Sequence, residues 1–428
     1  MMKIEDLRNT AWRFNERLRY LSRRGEILEE EYEAVVREII KRVREEGDKA
    51  VIEYTHRFDG VELTPETMEV PYEELERSYE ELELDVKQAL EVAHERIRRF
   101  HERQLEQSYM VEEEGIILGM RVIPLDRVGV YVPGGKASYP STVLMNTVPA
   151  VVAGVREVVM VSPKPNRYTL AAAFLAGVTR VFSIGGAQAV AALAFGTETI
   201  PKVDKIVGPG NIYVALAKKL LYGTVGIDMV AGPSEVLVIS DGSVDPRWVA
   251  ADLLSQAEHD ELAGAFLVTP EEEFAHEVVK ELENLLTDFP RKEIAKKSLE
   301  RFGTVFLVED LKQACEVANY IAPEHLEILT KEPFALLPYI RKAGAVFLGP
   351  YSTEPLGDYV LGPNHTLPTG GTARFSSPLG VYDFVRRSSV IYVSQEGFQR
   401  VADATESIAM AEGLHAHFLA VRVRREDL

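Results

Sequence analysis

The chain has 428 residues, of which 46% are hydrophobic and 27% are charged, and its formal net charge is −19. One hydrophobic core rarely supports such a length, so two or more domains are expected. The acidic charge argues against nucleic acid or an anionic membrane as a partner, because both bind concentrated basic patches. No apolar run reaches the roughly 20 residues that cross a bilayer, and the opening segment MMKIEDLRNTAW lacks the apolar core of a signal peptide. The expected location is the cytoplasm.

The first 127 residues are predicted to be mostly helical and polar. Residues 1–25 are predicted to form an N-terminal arm of polar and aromatic residues. Helices are expected from residue 27 to about residue 58 and from 84 to 108, since both stretches are rich in Glu and Arg. The segment between them, GVELTPETMEVPYEE, contains Pro and β-branched residues and is typical of a loop with a short strand.

Residues 128–237 alternate short apolar strands with helices. The predicted strands are RVGVYVP, EVVMVSPKP, RVFSIGG and KVDKIVGPG, and each is followed by a helical segment. Apolar strands that end in Gly or Pro and lead into helices indicate a parallel sheet covered on both faces. This stretch is therefore predicted to be a doubly wound domain, inserted into a second one.

The same alternation returns in residues 238–377, which we expect to form a second α/β domain together with the helices of residues 26–127. Residues 378–428 are predicted to be a small C-terminal extension made of a strand, a helix and a closing strand. The predicted fold class is α/β, with two doubly wound, incomplete Rossmann-like parallel-sheet domains and small N-terminal and C-terminal extensions.

Three loops at the ends of predicted strands are rich in glycine, namely YVPGGKASYP, SIGGAQA and VGPGN. Glycine lets the backbone approach a ligand, and the helix N-terminus that follows favours phosphate. None of the three is a complete G-x-G-x-x-G, and a plain tight turn between strand and helix is the competing interpretation. Their shared position at strand ends, where open α/β sheets bind ligands, strengthens the case for a nucleotide site.

The single cysteine restricts the chemistry. One thiol excludes an internal disulfide and any multi-thiolate zinc or iron–sulfur site within one chain. Cys315 lies in EDLKQACEVANYIA, which has helical periodicity. A nucleophile for aldehyde oxidation is one interpretation. A small packing residue on a helix is favoured, since free cysteine is among the most buried residue types.

Histidine, carboxylate and amide side chains therefore carry the candidate chemistry. Gln256 and His259 form a Q-x-x-H pair on one side of a helix end, and Asp358 lies in a long Gly-rich loop. With a further histidine they would make a site suited to zinc, and scattered surface polar residues are the alternative. Glu324 and His325 are adjacent in APEHLEI and suit acid–base work near pH 7. A polar connector between helix and strand is the competing interpretation of that pair.

The remaining histidines differ in their surroundings. His365 lies in GPNHTLPTGG, a loop with little hydrophobic pattern, which favours a site over core packing. The segment AEGLHAHFLA offers Glu412, His415 and His417, for which an ordinary amphipathic terminus competes. His415 and His417 would diverge on a helix and share a face on a strand. Four others lie in Glu/Arg-rich helices, where a solvated face is expected: His56, His94, His101 and His276.

Eight segments together resemble the histidinol dehydrogenase family, in the family's order, from about residue 25 to residue 420. They are VGVYVPGGKASYPSTVLMN, GGAQAVAALAFGT, VGPGNIYVALAKK, DMVAGPSEVLVI, DLLSQAEHD, APEHLE, GDYVLGPNHTLPTGGTARFSSPL and AEGLHAH. QAEHD, APEHLE and GPNHTLPTGG are highly specific in combination. The resemblance implies zinc-dependent oxidation of L-histidinol to L-histidine through L-histidinal with two NAD, the last two steps of histidine biosynthesis.

The resemblance also implies roles for individual residues and one zinc ion per subunit. The implied zinc ligands are Gln256, His259, Asp358 and His417. The implied acid–base pair is Glu324 and His325. The implied substrate contacts are Ser234, Gln256, His259, His325, Asp358, His365, Glu412 and His417, and the implied NAD contacts are Tyr131, Gln188 and Asn211. A homodimer with shared active sites is implied as well, in which the C-terminal tail is exchanged and His417 serves the partner subunit. His415 departs from the family's pattern and is a rival metal ligand.

Two other functions compete at this point. A zinc hydrolase would use Glu324 as general base on a metal-bound water and would need no NAD. A nucleotide-binding regulatory protein would keep only the loops of the middle domain, and the intact Glu324–His325 pair and metal set argue against it.

Overall fold

The computed structural model describes residues 2–9, 11–22, 30–134 and 139–426 of the chain. Its strands are β1 (Lys3–Asp6), β2 (Glu69–Val70), β3 (Tyr109–Glu113), β4 (Ile116–Pro124), β5 (Arg127–Tyr131), β6 (Glu157–Val161), β7 (Arg180–Phe182), β8 (Lys205–Val207), β9 (Gly226–Ile227), β10 (Glu235–Ser240), β11 (Gly264–Thr269), β12 (Thr304–Leu307), β13 (His325–Leu329), β14 (Ala345–Leu348) and β15 (Val385–Val393). Its α-helices are α1 (Glu16–Leu21), α2 (Glu30–Glu46), α3 (Asp48–Asp59), α4 (Pro65–Met68), α5 (Tyr72–Glu80), α6 (Leu84–Glu102), α7 (Pro140–Ala153), α8 (Arg167–Ala176), α9 (Gly186–Phe195), α10 (Ile212–Leu221), α11 (Pro246–Ala257), α12 (Glu272–Leu286), α13 (Lys292–Arg301), α14 (Leu311–Ile321), α15 (Pro333–Leu336), α16 (Glu354–Tyr359), α17 (Gln395–Ala411) and α18 (His415–Glu426). None of the helices in these ranges is long and apolar enough to cross a membrane.

The first sheet has the strand order β2-β7-β6-β5-β8-β9. Strands β5 to β9 run parallel to one another, and β2 pairs antiparallel with β7 at one edge. The chain moves outward from β5 in one direction through β6 and β7, and then in the other through β8 and β9. A doubly wound sheet has this reversal, and ligands bind where it occurs, beyond the carboxyl ends of the strands.

The second sheet has the order β1-β12-β11-β10-β13-β14, and all of its strand pairs are parallel. It winds outward from β10 as the first sheet winds from β5. The N-terminal arm contributes its edge strand, with Lys3 paired to Thr304. The predicted α/β fold class, with two doubly wound parallel sheets, is therefore confirmed.

Helices α2, α3, α5 and α6 pack against the helices that cover the first sheet. Helix α2 contacts α9 and α10, and its residues Val36 and Ile39 belong to the same buried cluster as Phe182 and Ile206 of the first sheet. This placement differs from the expectation that residues 26–127 complete the second domain. An amphipathic stripe shows which helix face is buried but not which sheet covers it, so the sequence pattern did not decide between the two.

Residues 105–124 and 385–428 form a separate compact unit. Its sheet has the order β15-β4-β3, and all of its strand pairs are antiparallel. Helices α17 and α18 pack against each other. The prediction of a closing strand after α17 is wrong, because residues 415–426 form helix α18. Gly413, with φ of 72°, takes the left-handed conformation that ends a helix and lets another begin.

Candidate active site

Glu324 and His325 lie at the amino edge of the second sheet, where β13 begins. Their side chains are buried, with 5% and 4% of the residue surface exposed. The backbone N–H of Glu235 donates to Oε2 of Glu324 at 3.0 Å, and the carbonyl oxygen of Glu235 lies 3.3 Å from Nδ1 of His325. Because β10 lies beside β13, one residue at the start of β10 contacts both members of the pair.

Carboxylates surround the His325 imidazole. Its Nδ1 lies 3.8 Å from Oε2 of Glu324 and 3.9 Å from Oε1 of Glu354. Its Nε2 lies 3.5 Å from Oδ1 of Asp358. Burial disfavours the imidazolium, but the three carboxylates outweigh it and raise the pKa of His325 well above its ordinary value. Without a bound cation, the cluster therefore favours a protonated His325.

Two acids of this cluster titrate close to neutral pH. Burial raises the pKa of Glu324 to about 7, although the charge on His325 opposes the change. Burial also raises the pKa of Glu354 to about 8, and His325 opposes this change too. Groups with pKa values near the working pH are efficient general acids and bases. The arrangement can therefore hold and move protons between carboxyl and imidazole groups.

Asp358 lies among three imidazoles. Burial disfavours its ionised form, but the hydrogen bond to His325 and the charges of His365 and His259 lower the pKa of Asp358 below its ordinary value. Nδ1 of His365 lies 2.9 Å from the carbonyl oxygen of Asp358. Asp358 and His365 also line a cavity of about 470 Å³, which is within the size range of small-molecule sites.

Gln256 provides a test of whether a metal ion fits this site. It lies on α11 three residues before His259 and is 0% exposed, and neither atom of its amide has a hydrogen-bond partner among the described residues. An unsatisfied buried polar group costs roughly 1–3 kcal/mol, a cost that a ligand to the amide oxygen removes. Together with the Asp358 carboxylate and the His259 imidazole, this donor set fits zinc.

His325, Glu354 and Asp358 also offer ligand atoms that all lie within 4.8 Å of one another. The predicted ligand His417 and the predicted substrate contact Glu412 belong to the other compact unit. Both are exposed there, at α18 and at the end of α17. The unit that contains the Glu324–His325 pair therefore supplies three of the four predicted zinc ligands.

A buried acid pair supports the segment that carries Asp358. Oδ1 of Asp252 accepts a hydrogen bond from the hydroxyl of Thr353 at 2.7 Å, and Oε1 of Glu327 accepts one from the N–H of Glu354 at 2.8 Å. The two carboxyl groups also contact each other, and burial raises the pKa of both. The pair thus connects α11, β13 and α16, the three elements that carry the site.

The carboxyl edge of the first sheet carries the predicted cofactor residues. The hydroxyl of Tyr131, at the end of β5, accepts a hydrogen bond from the N–H of Gly186 at 3.0 Å. Gln188 is 1% exposed, and its amide has no hydrogen-bond partner in the part of the chain that the structure describes. Asn211 caps α10 by accepting two backbone N–H bonds at 3.1 and 3.2 Å. Residues 135–138 of the loop YVPGGKASYP lie outside the described residues.

A short connection joins the two edges. Residues 228–234 lead from the carboxyl end of β9 in the first sheet to the amino end of β10 in the second. Seven residues span at most roughly 25 Å, so the end of β9 at the cofactor edge lies within about that distance of the start of β10 at the Glu324–His325 edge. Ser234 ends this connection, and its carbonyl accepts a hydrogen bond from the N–H of Gly264 at 2.9 Å.

Cys315 is a packing residue, as the favoured interpretation predicted. It lies on α14, is 1% exposed and belongs to a hydrophobic cluster under the second sheet. Burial raises the pKa of its thiol to about 11. Since the thiolate is the nucleophile, this cysteine is inert near neutral pH.

No role for Glu235 or Glu354 was predicted from the sequence. Glu235 begins an apolar strand, and nothing in a single sequence pairs it with Glu324 in another strand. The sequence could have indicated Glu354, because it lies four residues before Asp358, which is about one turn of a helix. The Gly- and Pro-rich composition around it concealed the short helix α16.

The fold and the site define an α/β enzyme of the dehydrogenase type, with glycine-rich loops at one sheet edge and a buried Glu–His pair at the adjoining edge. A sequence model of the family described as histidinol dehydrogenase matches residues 22–425. The chain is 72% identical over 426 residues to histidinol dehydrogenase from Aquifex aeolicus (strain VF5), with 100% of both chains covered. It is 54% identical to histidinol dehydrogenase from Syntrophotalea carbinolica, with 94% of this chain and 95% of the relative covered.

A solved structure agrees with these sequence matches. The crystal structure of histidinol dehydrogenase from Elizabethkingia anophelis superposes with a TM-score of 0.92 at 36% identity, and covers 100% of this chain and 98% of that one. The chain belongs to the histidinol dehydrogenase family. This membership favours an oxidoreductase over the hydrolase and regulatory alternatives.

Proposed function

We propose that the chain oxidises L-histidinol to L-histidine through L-histidinal, with two NAD and one water consumed at a single zinc-containing site in the cytoplasm. The observation that carries the proposal is the buried pair at the start of β13. Glu324, with a pKa of about 7, lies 3.8 Å from the imidazole of His325. The pair lies one short connection away from the cofactor edge of the first sheet.

Two bound groups would complete this site. Tyr131, Gln188 and Asn211 would hold NAD, which would supply the hydride acceptor for each oxidation. Gln256, His259, Asp358 and the partner subunit's His417 would hold zinc, which would supply a Lewis acid that orients the imidazole and amine of the substrate and lowers the pKa of the nearby His325. The side-chain amides of Gln188 and Gln256 are buried and have no hydrogen-bond partner among the described residues. These two amides support the proposed NAD and zinc sites respectively.

The side chains of this cluster move the protons. In the first oxidation, neutral His325 accepts the proton of the substrate hydroxyl as the carbon loses its hydride. The proton can pass onward to Glu324 or Glu354, because both of these acids titrate near neutral pH. In the second step, Glu324 takes a proton from water as that water adds to the aldehyde, and His325 returns a proton to the aldehyde oxygen, so that the gem-diol forms. His325 then accepts a hydroxyl proton of the resulting gem-diol as the second hydride leaves.

The remaining predicted residues are proposed to contact the substrate and to complete the site in a homodimer. Ser234 directly precedes Glu235, which contacts the pair, and Nδ1 of His365 lies 2.9 Å from the carbonyl oxygen of Asp358. These positions support the proposal that both residues contact the substrate. Glu412 and His417 are exposed on a separate compact unit. In the proposed homodimer this unit serves the active site of the other subunit, so that both residues reach substrate and zinc there.

The test is a zinc-loaded assay that follows NADH after L-histidinol is added. Two NADH and one L-histidine are expected for each L-histidinol consumed. One NADH with accumulating aldehyde would contradict the two-step oxidation at one site. Turnover of a substrate without NAD would instead support the hydrolase alternative.

A further inference from the structure

A buried ion pair holds Gly208, the first glycine of the VGPGN loop. Nζ of Lys218 donates a hydrogen bond to the carbonyl oxygen of Gly208 at 2.9 Å. The N–H of Gly208 donates to Oδ2 of Asp228 at 2.8 Å. Lys218 and Asp228 also form an ion pair with each other, and their side chains are 2% and 1% exposed. Both backbone polar groups of one glycine are therefore bound by one pair of charges.

The backbone of Gly208 also packs closely against Tyr131, a predicted cofactor residue. Its φ is +111°, and a Cβ atom at this position would lie 2.1 Å from the carbonyl oxygen of Tyr131. Only glycine fits a site with both of these properties. The ion pair therefore fixes the loop against the end of β5, and Tyr131 itself accepts the hydrogen bond from Gly186 at the start of α9.

The two charges come from different elements of the fold. Lys218 lies on α10, the helix that Asn211 caps. Asp228 begins the connection 228–234, and its Oδ1 also accepts the N–H of Met229 at 2.6 Å. The pair therefore ties the loop to the chain segment that leads to Ser234 and the amino edge of the second sheet.

Stability alone does not explain this pair. Removing two charges from water is costly, and replacing a buried ion pair with apolar residues of similar volume is often neutral or stabilising. Apolar side chains cannot reproduce the two hydrogen bonds to Gly208. We propose that Lys218 and Asp228 are positioning residues that hold the Gly208–Asn211 loop in the conformation that binds the dinucleotide. The inference rests on the proposed use of NAD.

The decisive variant replaces both charges, Lys218→Met with Asp228→Leu, because it leaves no unpaired buried charge. Binding of NAD and of L-histidinol to the zinc-loaded protein is measured by calorimetry, alongside steady-state kinetics and thermal unfolding. The loss of two hydrogen bonds should weaken NAD binding by roughly tenfold or more. The KM for NAD should rise in parallel. The affinity for L-histidinol and kcat at saturating NAD should stay within about twofold of native.

A matched control removes the Arg127–Glu157 ion pair, whose atoms are 2.6 Å apart at the amino edge of the same sheet. Arg127→Gln with Glu157→Gln should leave NAD affinity unchanged. If the double apolar variant does not fold, Asp228→Asn takes its place, because it keeps the shape of the side chain and weakens the bonds that the Asp228 carboxylate makes with Gly208 and Lys218. Native NAD affinity in a folded variant would overturn the positioning role alone. Absence of NAD binding by the native chain would overturn the proposed function with it.

Discussion

The backbone N–H of Glu235 donates a hydrogen bond to Oε2 of Glu324 at 3.0 Å. This bond crosses between two neighbouring parallel strands and fixes a buried carboxyl group at the amino edge of the sheet. Burial raises the pKa of Glu324 to about 7, so the group accepts a proton more readily than an ordinary glutamate does. The geometry and the pKa together suit a base that activates water.

Glu324→Gln keeps the side-chain shape and removes the base. Oxidation of L-histidinal should fall by about 100- to 10,000-fold, the usual contribution of general base catalysis, and oxidation of the alcohol should fall less. Supplying the aldehyde directly, with NADH as the readout, separates the two steps. A variant that oxidises the aldehyde normally and fails on L-histidinol would reverse the assigned roles.

The pH dependence should follow the ionisation of Glu324. Its pKa is raised to about 7, and only the ionised form can accept a proton. The rate of aldehyde oxidation should therefore rise about tenfold per pH unit below pH 7 and level off above it. The pH profile of kcat/KM for L-histidinal tests this, and the rise should be missing from the residual activity of Glu324→Gln. A native rate that falls as pH rises through 7 would contradict the base role.

Removing a proposed metal ligand should lower the zinc content without unfolding the chain. His259→Asn takes away one donor beside Asp358, whereas the apolar clusters of the two sheets do not include that histidine. The exposed His276 on α12 offers the control His276→Asn. Zinc per chain is measured by elemental analysis and folding by circular dichroism. Native zinc content in His259→Asn would remove this residue from the site.

Cys315→Ala should preserve both oxidations. The thiol is buried and its pKa is raised to about 11, so it does not serve as a nucleophile. Loss of its packing should lower the free energy of unfolding by about 1 kcal/mol, measured by denaturant titration. If the variant still oxidised L-histidinol to the aldehyde but no longer oxidised the aldehyde, Cys315 would have to act as a nucleophile in the second step.

The shared site can be tested with mixed subunits. His417→Ala chains and Glu324→Gln/His325→Asn chains should each be inactive. A hybrid dimer of the two contains one wholly native site, because an isologous interface creates two equivalent sites. Mixing should therefore restore activity, with subunit exchange followed by native mass spectrometry. Exchange without recovered activity would mean that the tail serves its own chain.

The α/β alternation made the two sheets predictable, since buried parallel strands are short, apolar and flanked by Gly or Pro. The pattern could not show where a polar side chain finds its partner. His101 was expected on a solvated helix face, yet it is buried, with Nδ1 2.8 Å from the carbonyl oxygen of Ile97. The amide of Asn364 lies near its other nitrogen, 3.4 Å away. A contact between residues as far apart in sequence as His101 and Asn364 leaves no periodic pattern from which it could be predicted.

Helix α18, which carries His417, shows a second limit of prediction from the sequence. HAHFLAVRVRRE has alternating apolar residues that suit a strand, and its helical structure depends on packing with α17. Tertiary contacts override propensity in such short segments. The candidate site, by contrast, was named residue by residue through the family resemblance, while Glu235 and Glu354 emerged only from geometry.

Cys315 also makes the chain convenient for spectroscopy. It is the one cysteine of the sequence, and it is buried with a thiol that stays protonated near neutral pH. Maleimide reagents require an accessible thiolate, so the native protein should give almost no background labelling. A cysteine placed on the exposed surface of α17, for example at Thr405, would carry one fluorophore per chain. Energy transfer between such labels would then report directly on how two copies associate.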